Sequence, residues 1–164
     1  MKNVSLYKQC TALLLIPVMA LALTGCNSQT ASQIFNAAAT SVGQVLKVIS
    51  PGWTGLAQYN ALVAQATPLI AAGVTGTNGQ KALQVVQDIA SLLSTIPQIP
   101  PQYQVLIGIG LAGFNSVIAL IEAAQNKGAA SAVAPPTYKD AASFKKAWNA
   151  EVSKHPELAT AKLN

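Results

Sequence analysis

Residues 80–95 read QKALQVVQDIASLLST, and their spacing decides the fold class. Leu83, Val86, Ile89, Ala90 and Leu93 recur at intervals of three or four. Gln84, Gln87, Asp88 and Ser91 mostly fill the positions between. At 3.6 residues per turn this gathers the apolar groups on one side, so the segment predicts an amphipathic helix with one buried face. Proline-rich Pro97-Gln98-Ile99-Pro100-Pro101 follows, and a longer apolar helix is predicted from about Gln102 to Asn126. A short stiff connection favours antiparallel packing of the two. Gly128 suits the left-handed geometry common at helix ends.

The same period extends outward. Ile34, Phe35, Ala38, Val42, Val45, Leu46 and Ile49 have helical spacing, and Ser50-Pro51-Gly52 ends that helix. A second helix is predicted from about Gly55 to Ala66, with Leu56, Tyr59, Leu62 and Val63 on one face and Pro68 bending or interrupting it. Gly73 to Gly79 reads as a connecting loop, since it lacks the lysine and strand setting of a phosphate loop. The β-branched residues near Val105 to Ile109 leave a strand open there, but alanine and glutamine around them favour helix. The expected fold is all-α: a small bundle of about four helices over 31–127.

Beyond it, 128–136 is a linker of alanine, serine, valine and proline, and 137–164 a short basic amphipathic helix with a tail. Thr137-Tyr138-Lys139-Asp140 reads as a capping box, and Pro156 restarts a terminal turn. Phe144, Trp148 and Val152 form one stripe, flanked by Lys145, Lys146, Asn149 and Glu151. Two readings of that stripe stand: it docks on the bundle as core, or it is a face for anionic lipid or a protein partner.

Val105 to Ile121 is open in a second way. It is nearly as long as a membrane span requires, and Gly108, Ala112 and Ser116 place small residues along one side. Three glycines and the central Asn115 weaken it as a span. A buried core helix is the favoured reading.

The amino-terminal segment concerns destination. Lys2 and Lys8 precede an apolar run from Thr11 to Leu23, the arrangement of a secretory signal. The Leu23-Thr24-Gly25-Cys26 that closes it resembles the lipobox of bacterial lipoproteins. The resemblance covers residues 1 to about 28 and implies cleavage of 1–25 between Gly25 and Cys26. It further implies a diacylglycerol thioether and an N-acyl chain on Cys26, with 26–30 as a lipidated tether. Such chains hold a protein at a membrane almost permanently. Asn27 replaces the aspartate that often retains these proteins at the inner membrane, so the resemblance implies the outer membrane, facing the periplasm. Cys10 would leave with the signal, and the remaining chain would have no disulfide.

Charge and chemistry narrow the function. From Cys26 to Gln125 only Lys47, Lys81, Asp88 and Glu122 are charged. From Asn126 onward six lysines face three carboxylates, a net of +3. With no arginine, this pattern argues against a nucleic-acid partner. His155 is the single histidine and sits in a polar tail, so no metal site is expected. Asp88 and Glu122 lie on paired helices, but the antiparallel arrangement separates them. Serine and threonine hydroxyls have no evident base. An enzyme is not expected, nor a cofactor beyond the lipid.

Three functions fit. The first is a non-enzymatic envelope lipoprotein with a structural or protein-binding role. The second is a membrane-active or exclusion-type lipoprotein whose hairpin, about 80–125, inserts in the bilayer. The third is a carrier of an apolar ligand between helices, which closely packing alanine-rich helices disfavour.

Overall fold

The computed structural model describes residues 28–96, 99–126 and 135–164. The signal, Gly25, Cys26, Gly128 and most of the 128–136 linker lie outside the described residues. The fold is all-α, with no strand among the described residues, Val105 to Ile109 included. Helix α1 covers 28–49, α2 Gly55–Ala72, α3 Gly76–Ser94, α4 Pro101–Gln125 and α5 Ala141–Val152, followed by a 3₁₀ helix Pro156–Ala161.

Helices α1 to α4 run alternately up and down. The Tyr59 hydroxyl on α2 donates to the carbonyl of Ala39 on α1 at 2.8 Å, and the Val74 amide donates to Ser28 Oγ at 3.4 Å. The start of α1 therefore meets the end of α2. Gly79 on α3 faces Gln125 at the end of α4, making α3 and α4 antiparallel as expected. Phe35 on α1 meets Phe114 on α4 edge to face, centroids 5.8 Å apart, which closes the ring of four. Ile34, Phe35, Ile70, Val86, Ile89, Leu93, Leu106, Phe114 and Ile121 fill the centre. Each such side chain contributes roughly 1.5–3 kcal/mol by leaving water.

Several boundaries differ from the sequence reading. The tether placed at 26–30 is helical from residue 28, because Ala31, Ile34 and Phe35 are fully buried and carry the helix with them. Helix α2 continues through Pro68 to Ala72 instead of stopping near Ala66, since burial of Ala66 and Ile70 outweighs the lost amide. The loop placed at Gly73 to Gly79 is three residues, 73–75. Gly73 and Gly76 turn the chain there at φ of 130° and 58°, values side chains rarely tolerate. Asp140, not Thr137, caps α5: its carboxylate accepts from the Ser143 amide at 2.7 Å.

The small residues of α4 also act differently. Gly108 has open space where a Cβ would be. Gly110 and Gly113, three residues apart, bear the close contacts. A Cβ on Gly110 would strike Val42 of α1, and one on Gly113 would fall 2.8 Å from the Phe144 ring and 3.1 Å from Ala38. Helix α4 is thus hemmed in by α1, α3 and α5. It is long and apolar enough to cross a membrane, yet half of its most apolar window is buried in the bundle, with Asn115 exposed.

Candidate functional site

Helix α5 settles antiparallel to α4, over the groove between α4 and α1. Tyr138 enters beside Ser116, whose hydroxyl accepts the Tyr138 amide at 2.9 Å and donates to the Ala112 carbonyl at 2.8 Å. Buried Ser116 is therefore satisfied on both sides and ties the carboxy-terminal segment to mid-α4. Phe144 then lies on Gly113 and Trp148 approaches Gly110. The Phe144 and Trp148 rings stack at 6.0 Å, with Tyr138 edge-on to Phe144 at 5.3 Å.

Phe144, Trp148 and Val152 are 0%, 0% and 1% exposed. Of the two readings of the stripe, docking on the bundle holds, and the role of these three residues as a partner or membrane face is corrected: they are core. The stripe period fits both roles, and the missed signal was on the receiving helix, where Gly110 and Gly113 open a slot for the two rings. The flanking lysines separate. Lys146 is exposed, whereas Lys145 is half-buried and donates to the Asn164 carbonyl at 2.5 Å.

The chain folds back over α5 beyond Val152. Trp148 Nε1 donates to the Ala161 carbonyl at 2.9 Å. Asn149 holds Leu163 twice, donating to its carbonyl at 2.8 Å and accepting its amide at 2.9 Å. Pro156 opens the 3₁₀ helix, as its position predicted.

The densest titratable cluster sits where this return meets the start of α4. His155 lies 3.5 Å from Glu157 and 3.8 Å from Glu151. Its ring is 5.4 Å from that of Tyr103, whose hydroxyl donates to Glu157 at 2.9 Å. Lys154 pairs with Glu151 at 2.7 Å. Backbone and Tyr103 hydrogen bonds, with nearby His155, hold the Glu157 carboxyl below its ordinary range. The arrangement clamps the carboxy-terminal segment to α4, because the Tyr103 side chain on α4 reaches across to both Glu157 and His155. Among the described residues no group of three or more His, Cys, Asp or Glu is set to hold a metal ion.

Asp88 accepts from Gln84 at 3.1 Å on the surface of α3. The antiparallel pairing places Glu122 toward the Lys81 end of that helix, away from Asp88. Burial pushes the Tyr59 phenol well above its usual value, and its bond to Ala39 makes it a structural strut.

Of the open grooves along α1, two are larger. One, against α5, is lined by Gln33, Asn36, Thr40, Ala141, Lys145 and Leu163. The other, against α2, holds Asn36, Thr40, Gln44, Lys47, Tyr59 and Asn60. Gln44 Oε1 is buried there without a protein donor. Both grooves mix amides and hydroxyls with short apolar groups, a lining suited to polar contacts rather than to a lipid chain. Family models, curated proteins and solved structures yield no match to this chain.

Proposed function

We propose that this protein is a lipid-anchored component of a bacterial cell envelope. Its bundle acts outside the cytoplasm as a non-enzymatic structural or protein-binding module, held through Cys26 at the periplasmic face of the outer membrane. The observation that carries the reading is the sequence Leu23-Thr24-Gly25-Cys26 behind a basic start and a short apolar run. The polar grooves on α1 supply surface for a protein partner, a role moved there from the buried Phe144 stripe. The test is the intact mass of the protein extracted from membranes. The wild-type chain gains the acyl mass and begins at Cys26; Cys26→Ala keeps its signal or is released unlipidated.

A second reading rests on α4, the one helix among the described residues long and apolar enough to cross a bilayer. Insertion of an α3–α4 hairpin would strip Phe35, Phe144 and Trp148 of their partners, so it requires the bundle to open. Vesicle leakage assays separate the two: the first reading expects none, the second expects release of contents.

A further inference from the structure

We infer that one end of the bundle, formed by the start of α1, the α2–α3 turn and the end of α4, rests directly on the lipid surface and stands the helices away from it. This rests on the proposed anchor at Cys26. Covalent geometry sets the reach: from Cys26 to Ser28 are two steps between Cα atoms, about 7 Å when fully extended. Ser28 is already helical, and its hydroxyl accepts the Val74 amide at 3.4 Å. Ala31, Ile34 and Phe35 are fully buried within the next two turns, so α1 cannot swing aside without exposing core.

Much of that end is polar without being charged. Residues 28–30, 71–77 and 123–126 contain no ionisable side chain; Glu122 and Lys127 flank the last of these stretches in sequence, and Lys81 lies in the second turn of α3. They present Gln29, Thr75, Thr77 and Asn126 as exposed hydroxyls and amides. Such groups exchange water for headgroup oxygens at small cost. The opposite end carries Lys47 on α1 and the paired Glu151, Lys154 and Glu157 of the carboxy-terminal segment. The end rich in hydroxyls and amides is thus the one tied to the anchor, and the opposite end points into the aqueous space.

The test uses the full chain, processed and lipidated, in vesicles of phosphatidylethanolamine and phosphatidylglycerol. A single fluorophore is placed through Thr75→Cys at the near end or Gly52→Cys at the far end; Cys26, once a thioether, does not react. Position 75 is exposed, and a Cβ at Gly52 meets open space. The 18 residues of α2 separate the two by about 27 Å. Lipids bearing a headgroup nitroxide are expected to quench position 75 several-fold more than position 52, with Asn78→Cys repeating the near-end result. Equal quenching, or stronger quenching at 52, on protein whose intact mass shows the lipid overturns the orientation and leaves the anchor standing. A mass without acyl chains overturns the anchor and this inference with it.

Discussion

Trp148 Nε1 donates to the Ala161 carbonyl at 2.9 Å, so the last aromatic of α5 is held from behind by the chain that follows it. With its ring fully buried beside Gly110, this bond makes the carboxy-terminal segment an integral layer of the bundle. The stability consequences are direct.

Trp148→Ala is expected to destabilise the protein by about 3–5 kcal/mol, since it removes a large core side chain and orphans the Ala161 carbonyl. Lys146→Ala, two residues away and exposed, is expected to stay within about 0.5 kcal/mol of wild type. Urea unfolding followed by circular dichroism checks both. Equal small effects would mean that α5 is not packed as described.

The glycines of α4 give a sharper comparison. Gly110→Ala and Gly113→Ala force a methyl into Val42 and Phe144 respectively, and each is expected to cost about 1–3 kcal/mol. Gly108→Ala meets open space and is expected to gain about 0.5–1 kcal/mol from reduced backbone freedom in the unfolded chain. Opposite signs for neighbouring glycines, read from thermal melts, would be hard to obtain with α4 facing any other way.

Pro68 is exposed within α2 and supplies no amide to the helix. Pro68→Ala restores that donor, and is expected to stabilise by up to about 3 kcal/mol. A higher melting temperature is the predicted result, and a lower one would show that the ring's packing matters more than the missing bond.

Acid should loosen the carboxy-terminal helix. Hydrogen bonds from the Ser143 backbone and side chain hold the Asp140 carboxyl below its ordinary value. A folded value below the unfolded one means that its contribution is complete above the ordinary carboxylate range. It is then lost as pH falls through the depressed folded value. Glu157 shifts in the same direction, through its own backbone amide, Tyr103 and His155. Melting temperature is therefore expected to drop below about pH 4, less steeply in Asp140→Asn, which keeps a cap but cannot titrate.

Much of this architecture is legible in the sequence wherever periodicity alone decides. The 80–95 pattern placed Val86, Ile89 and Leu93 in the core, and the proline loop at 97–101 correctly implied an antiparallel neighbour. Local punctuation misled where tertiary packing overrode it. Pro68 is bridged because Ala66 and Ile70 are buried on either side, and the Gly73 to Gly79 composition concealed the first turn of α3. Asp140 and Thr137 are both competent caps, and only the position of Phe144 over Gly113 selects the first. The spacing of Phe144, Trp148 and Val152 showed a face without showing what it faces. The recipient slot at Gly110 and Gly113 lies some thirty residues earlier, a pairing no local pattern encodes.

On the proposed function the folded bundle faces water, and the lipid on Cys26, not an inserted helix, is what holds it at the membrane. Partitioning of residues 27–164, made without signal or lipid, between buffer and membranes tests it most directly. A helical, folded product that remains in the buffer is the predicted result. A product that stays with membranes after a high-salt wash would contradict it and make α4 an insertion element.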